Sequence, residues 1–109
     1  MKAFSVHLLS GAKQDLISLY NYVALNDSRE KADKLLDEIQ ARCSKLKTMP
    51  LRGRVVPELE RIGITHEFRE LILGPYRVIY SVTKSEVFVH CILDGRRDLQ
   101  DLLEERLLR

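Results

Sequence analysis

Residues 66–93 read HEFRELILGPYRVIYSVTKSEVFVHCIL, and this stretch decides the fold. Apolar side chains recur in it at nearly every second position, which indicates β-strands. Residues 74–75 and 83–85 interrupt the pattern with glycine, proline and polar residues and are therefore predicted to be turns. Because both connections are short, the strands should pair as an antiparallel meander. The predicted strands cover residues 66–73, 76–82 and 86–93.

The middle strand should have two different faces, because successive side chains of a strand point in opposite directions. One face carries Tyr76, Val78, Tyr80 and Val82, and the other carries Arg77, Ile79 and Ser81. We expect the two tyrosines in the core rather than as platforms for stacking bases. His90 alternates with Phe88 and Ile92 and is expected to be partly buried and hydrogen-bonded.

Helical periodicity precedes this meander. Residues 3–9 form a short apolar run that suggests a first strand, after which Ser10 should cap a helix that ends near Asn26. Asp27 and Glu30 have the spacing of a capping box and predict the start of a second helix. The two helices should form an antiparallel hairpin that buries its apolar stripes on the sheet.

The remaining segments are a loop and a last helix. Pro50 should end the second helix, and residues 50–65 contain two prolines, two glycines and three arginines, so they are predicted to be a long loop. Asp98 should cap a C-terminal helix with leucines along one side. The predicted order is β-α-α-β-β-β-α, an α+β fold with a helical hairpin packed on a small, mostly antiparallel sheet. Residues 1–109 are predicted to form a single domain.

Composition excludes several classes of protein. The 109 residues are 45% hydrophobic and 31% charged, which is ordinary for a globular domain and too apolar for a disordered chain. No apolar run approaches the ~18 residues that a membrane span needs, so we expect a cytoplasmic protein without membrane contact. Cys43 and Cys91 are expected to be small buried hydrophobes, and no metal or cofactor is predicted.

The arginines are distributed unevenly. Residues 50–97 hold seven arginines and one lysine, whereas residues 1–49 hold two arginines and six lysines. A guanidinium group suits phosphate and carboxylate, so a basic patch on one side of the sheet could bind phosphate or an acidic protein segment. An alternative is that Arg69 and Arg77 pair with glutamates across strands, and spacing alone favours it. The candidate binding residues are Arg52, Arg54, Arg69, Arg77, Arg96 and Arg97. The glutamates that could pair with them are Glu67, Glu70 and Glu86.

Four segments together resemble the ParE/RelE superfamily: GRVVPEL at 53–59, REL at 69–71, YRVIY at 76–80 and GRRD at 95–98. This resemblance implies the toxin of a type II toxin–antitoxin pair. It further implies that a cognate antitoxin wraps around the toxin, covers the helical hairpin and the basic sheet face, and forms a hetero-oligomer with it. A homo-oligomer is the other assembly considered.

The superfamily has two activities, and the resemblance leaves both open. RelE-like members cut mRNA on the ribosome with cationic residues around the scissile phosphate and a group that transfers a proton. ParE-like members inhibit DNA gyrase. If this chain were a ribonuclease, its catalytic candidates would be Arg69, Arg77, Arg96, Arg97, Glu58 and His66.

Departures from the ribonuclease pattern favour the gyrase-directed activity. Leu103 stands where a tyrosine is expected in the last helix, and Asp94 stands where many relatives have a histidine. Leu71 replaces a second lysine near Arg69. Because general acid–base catalysis contributes about a hundredfold to ten-thousandfold, a ribonuclease without these groups would be poor. A homologue that only binds its antitoxin is the third possibility.

Overall fold

The structure is a computed structural model that describes residues 3–64, 67–96 and 98–108. Helices lie on both faces of a five-stranded sheet with the order β1-β5-β4-β3-β2. The strands are β1 (Ser5–Leu8), β2 (Arg54–Val55), β3 (Phe68–Leu73), β4 (Tyr76–Val82) and β5 (Glu86–Asp94). The helices are α1 (Ser10–Asn26), α2 (Arg29–Lys45), α3 (Pro57–Glu60) and α4 (Gln100–Leu107).

The predicted meander is confirmed, since β3, β4 and β5 pair antiparallel in sequence order. The turn between β3 and β4 places Gly74 at a φ of 59°, a left-handed conformation that favours glycine. At the far edge β1 joins β5 in parallel, which is possible because all the elements from α1 to β4 lie between these two strands in the sequence. The prediction of an α+β fold with a mostly antiparallel sheet is therefore confirmed.

Two hydrophobic clusters lie on opposite faces of the sheet. The α1–α2 hairpin covers one face, where Tyr80 and Val78 are fully buried as the strand pattern predicts. Helices α3 and α4 cover the other face, where Ile79 packs against Leu59 and Leu103. The C-terminal helix thus packs on its own chain. Among the described residues, no helix is both long enough and apolar enough to cross a bilayer.

A β-bulge in β5 alters the predicted alternation. Ile79 pairs with Cys91 but Tyr80 pairs with Val89, so His90 is an extra residue in the ladder. His90 is half-buried and lies 2.8 Å from the hydroxyl of Ser81, which confirms its predicted burial and hydrogen bond. Its expected alternation with Ile92 is wrong, because the bulge moves Ile92 to the hairpin side of the sheet.

Helix caps differ from the predictions at three positions. Ser28, not Asp27, caps α2, since its hydroxyl accepts a hydrogen bond from the backbone N–H of Lys31 at 3.1 Å. Ser10 is the first helical residue of α1 and not its cap. At α4 the Asp98 carboxylate accepts a hydrogen bond from the backbone N–H of Gln100, but the N-terminal capping residue is Leu99, so the predicted cap at Asp98 is displaced by one residue.

The stretch predicted to be a long loop contains regular structure. β2 pairs with β3 through Arg54 and Val55, and Pro57 begins the one-turn helix α3. Proline is suited to the first turn of a helix, because its fixed φ matches and its missing N–H is not needed there. The loop prediction is therefore wrong over residues 54–60.

Both cysteines are buried free thiols, which agrees with their prediction as small hydrophobes. Burial raises the pKa of Cys43 and of Cys91 to about 11, so both are protonated at neutral pH. Neither is therefore a reactive thiolate in the folded protein.

The bulged histidine makes stability depend on pH. Burial, together with the nearby charge of Arg106, lowers the pKa of His90 below its ordinary value of 6.5. The unfolded chain then binds more protons between the two pKa values, so the free energy of unfolding should decrease as the pH falls through this window. Denaturant unfolding from about pH 8 to about pH 5 measures this loss.

A pair of variants isolates the contribution of His90. His90→Gln keeps a polar group beside Ser81 but cannot charge, so its stability should change less over this pH range. His7→Gln is the matched control, because His7 is an exposed histidine in contact with Glu86. Equal pH dependence in His90→Gln and the unchanged protein would contradict the assignment to His90.

Candidate functional site

A groove of about 400 Å³ opens on the α3 side of the sheet, between the β3–β4 turn, α3 and the segment after β5. Its charged lining consists of four arginines and one glutamate, and its other walls include Ile72 and two prolines. The charged residues are Arg54, Arg61, Arg77, Arg96 and Glu58. We call this the arginine groove.

Arg77 forms the floor of the arginine groove and is bonded to two carboxylates. Its side chain leaves β4 on the face covered by α3, and the residue is only 8% exposed. Its Nε donates to Glu70 Oε1 at 2.6 Å, while Nη1 and Nη2 donate to the two oxygens of Glu58 at 2.6 and 2.7 Å. A guanidinium that shares this many short bonds is held in a single orientation.

Glu70 connects Arg77 to a second arginine. The Glu70 side chain is 0% exposed, and its Oε2 accepts a hydrogen bond from Arg54 Nε at 2.7 Å. Arg54 itself is mostly solvent-exposed, because it lies on the edge strand β2. The result is a continuous network of Arg54, Glu70, Arg77 and Glu58 with two positive and two negative charges. Hydrogen-bonded pairing of this kind is what makes charged side chains tolerable in a protein interior.

The network fixes the charge states of Glu58 and Arg77. The hydrogen bond from Arg77 lowers the pKa of Glu58, and the hydrogen bonds to Glu58 and Glu70 raise the pKa of Arg77. Glu58 is therefore a carboxylate at neutral pH with both oxygens already accepting hydrogen bonds. A group in this state is a poor proton donor and a poor general base.

Arg61 and Arg96 form the rim of the groove. Arg61 follows α3 and makes one long hydrogen bond, 3.4 Å, to Gln100 Oε1. Arg96 follows β5, and its guanidinium bonds to the carboxylate of Asp94 at 3.0 and 2.6 Å. Both side chains reach solvent, so the rim can contact a partner without any change in the buried network.

The structure brings together three of the six arginines predicted for binding, namely Arg54, Arg77 and Arg96. Arg52 is exposed and lies outside the groove lining. Arg97 and the catalytic candidate His66 lie outside the described residues. The binding roles of all these residues remain predictions.

The strand register explains why Arg69 does not line the arginine groove. It pairs with Tyr80, so it points to the hairpin side of the sheet, whereas Arg77 points to the groove side. The register therefore prevents Arg69 and Arg77 from contributing to a basic patch on one face of the sheet. Arg69 Nη1 instead donates to the backbone carbonyl of Gly53 at 2.8 Å and anchors the segment that leads into β2.

The alternative of cross-strand ion pairs is correct for one pair. Arg77 bonds Glu70, although the two are not directly opposite in the ladder. Glu86 contacts His7 at 2.9 Å rather than an arginine. Arg61 lines the groove but was not among the predicted binding residues. Pro57 is a helix-start signal, and it predicts that Arg61 follows about one helical turn later.

Gly53 lies in close contact with the sheet. Its N–H donates to the Tyr80 hydroxyl at 2.9 Å, and a Cβ at this position would lie 2.5 Å from that oxygen and 2.6 Å from the carbonyl of Glu70. Gly53→Ala should therefore push β2 off β3 and destabilise the protein by about 1–3 kcal/mol, as overpacking does. Denaturant unfolding measures the effect.

Two further observations sharpen that prediction. Displacing β2 should also weaken the Arg54–Glu70 contact, so amide exchange at Arg54 and Val55 should accelerate in Gly53→Ala. Leu51→Ala, at an exposed position just before, is the control and should change stability by less than about 0.5 kcal/mol. Equal stabilities of the two variants would show that the segment before β2 moves freely.

Helix α1 exposes several large apolar side chains outside the arginine groove. Ile17, Tyr22 and Leu25 are more than half exposed. Ile17 lines a shallow cavity of about 210 Å³ together with Leu16, Tyr20 and Leu36. Exposed apolar side chains beside such a cavity mark a candidate interaction surface.

Comparison with known proteins places this chain in a family. Residues 6–99 match the family model described as ParE toxin of type II toxin–antitoxin system, parDE. The match covers most of the chain, so the chain belongs to the ParE toxin family. It is accordingly the toxin component of a type II toxin–antitoxin module of the ParE type, and its partner is a cognate antitoxin.

Thirteen chains in solved structures match this one. One of them belongs to a structure described as the chromosomal ParDE TA system from P. aeruginosa, with a TM-score of 0.67 and 21% identity over 84% of this chain and 96% of that chain. At this identity the likeness concerns the fold. No curated protein matches the sequence.

Proposed function

We propose that this ParE toxin acts by inhibiting DNA gyrase and does not cleave RNA. The observation that carries the proposal is the state of Arg77, which is buried and bonded to the carboxylates of Glu70 and Glu58. A ribonuclease needs a guanidinium directed at the scissile phosphate. Here the bonding edges of that guanidinium already face protein carboxylates.

The positions for proton transfer give further support. Leu103, where the resemblance expects a tyrosine, is fully buried against Leu59 and Ile79. Asp94, where many relatives carry a histidine, binds Arg96. Glu58 is held as an ion pair whose pKa is lowered, so it would not supply a proton near neutral pH. Inhibition by binding requires none of these groups.

The surfaces suggest how two partners could bind. The exposed apolar residues of α1 fit the apolar side of an antitoxin segment, and the rim arginines, Arg61 and Arg96, fit acidic groups. We expect the antitoxin to cover both the α1 surface and the rim, and gyrase to contact the rim and the C-terminal segment. A bound antitoxin would then block the access of gyrase. A cytoplasmic location is part of the same proposal, because gyrase acts there.

Induction of the toxin without antitoxin tests the proposal. We expect incorporation of labelled thymidine to fall before incorporation of labelled methionine, because blocked gyrase stops replication first. An earlier fall in methionine incorporation would overturn the proposal in favour of mRNA cleavage. No fall in either would mean that this homologue only binds its antitoxin.

A purified system identifies the target directly. The protein should inhibit supercoiling by DNA gyrase, and Arg61→Gln with Arg96→Gln should weaken that inhibition. Arg52→Gln is the matched control, since Arg52 is an exposed arginine of the same region that lies outside the groove.

A further inference from the structure

Glu58 occupies the place on Arg77 that an external anion would take. Its two oxygens accept parallel hydrogen bonds from Nη1 and Nη2 at 2.6 and 2.7 Å, the fork geometry in which arginine also binds phosphate. The other guanidinium groups of the lining, Arg54, Arg61 and Arg96, surround it. Without Glu58, this groove would have the charge and donor pattern of a phosphate-binding site.

We propose that Glu58 is the specificity-determining residue of the arginine groove and excludes ligands that carry phosphate, nucleic acids above all. Its carboxylate acts in two ways. It occupies the donors of Arg77, and its negative charge repels phosphodiester oxygens that approach the remaining arginines. The inference goes beyond gyrase inhibition and does not depend on it.

The position of Glu58 makes this occupation stable. Its neighbour Leu59 is fully buried, and the backbone carbonyl of Glu58 accepts a hydrogen bond from Gln100 Nε2 at 3.1 Å. Helix α3 is thereby attached to the sheet and to α4, so the carboxylate is presented to Arg77 by a fixed backbone. A weakly anchored loop glutamate would be displaced by phosphate far more easily.

The test compares two glutamates on the same helix. Glu58→Gln removes the charge inside the groove, whereas Glu60→Gln removes the same charge from an exposed position outside its lining. The probe is a short fluorescein-labelled single-stranded RNA of mixed sequence, and anisotropy is followed over a salt titration. We expect Glu58→Gln to bind it roughly tenfold more tightly, with the slope of log K against log salt steeper by about 0.7 for one new phosphate contact.

Either of two results would overturn the proposal. One is equal RNA binding by Glu58→Gln and Glu60→Gln, with circular dichroism showing both folded. The other is a loss of RNA affinity in Arg61→Gln that is larger than the loss in Arg52→Gln, because it would mean that the groove already accepts phosphate with Glu58 in place. We expect the two variants to weaken RNA binding equally. This comparison uses only surface variants and so does not depend on the folding of Glu58→Gln. Both tests measure RNA binding in the absence of gyrase. A result that overturns this proposal would therefore not affect the proposal of gyrase inhibition.

Discussion

Replacing Arg77 with alanine is expected to lower the free energy of unfolding by about 3–5 kcal/mol, because it breaks a buried ion-pair network by removing one partner. The Glu70 side chain, which is 0% exposed, would lose its bond to Arg77 and keep Arg54 as its remaining arginine partner in the network. A domain of this size has only about 5–15 kcal/mol of stability, so the loss should be obvious in the midpoint of a denaturant unfolding curve.

Two comparisons identify the network as the cause. Arg52→Ala removes an exposed arginine and should change stability by less than about 0.5 kcal/mol. Arg77→Met combined with Glu70→Leu and Glu58→Gln removes the three most buried charges of the network together and should be more stable than Arg77→Ala, because only Arg54, which is mostly solvent-exposed, then keeps its charge. If Arg77→Ala were as stable as Arg52→Ala, the network would contribute nothing to the free energy of unfolding. Binding an external anion at Arg77 would then not cost stability.

The features that sequence predicts well are those repeated along a strand or helix. β4 illustrates this, since alternate residues go to opposite clusters just as its pattern indicates: Val78 and Tyr80 to the hairpin side, Ile79 to the other. Because the alternation of side chains repeats along the strand, one misplaced residue does not change the prediction. The short turns on either side also leave few alternative topologies. The resemblance to the ParE/RelE superfamily, which rests on several spaced segments, is confirmed by the family match.

The candidate site depends instead on register, which the sequence does not fix. Arg69 and Arg77 both lie on strands that flank one turn, and a shift of one residue in pairing would reverse the face of either. The register that forms places Glu70, not Arg69, beside Arg77. A charged residue on a strand ordinarily indicates a solvated face, and only the structure shows that the Glu70 side chain is buried.

Short elements are the second source of error. β2 has two residues and α3 has four, which is too few for periodicity to be recognised. Both exist because of tertiary contacts: β2 is held by its pairing with β3, and α3 by the burial of Leu59. These two elements carry Arg54 and Glu58, so half of the buried network comes from a segment that was predicted to be irregular.

Leu103→Ala should destabilise the protein by about 2–5 kcal/mol, the range for truncating a fully buried leucine. Leu103 is the central contact of α4, where it packs with Leu59 and Ile79 in the cluster on the groove side of the sheet. Removing its side chain leaves a cavity beneath a helix of only eight residues. A helix this short depends on packing rather than on its own propensity, so α4 should lose much of its hold on the sheet.

Leu108→Ala is the matched control, because Leu108 follows the same helix but is exposed, and its truncation should be close to neutral. Hydrogen exchange separates two ways in which Leu103→Ala could act. Faster exchange throughout the chain would mean that α4 unfolds with the sheet as one cooperative unit. Faster exchange confined to α4 would mean that the helix opens while the sheet stays folded. The contact of Arg106 with Asp15 at 3.1 Å would then limit how far the end of the helix moves. Equal stability of Leu103→Ala and Leu108→Ala would contradict both, since it would require that α4 contribute nothing to the core in which Leu103 is buried.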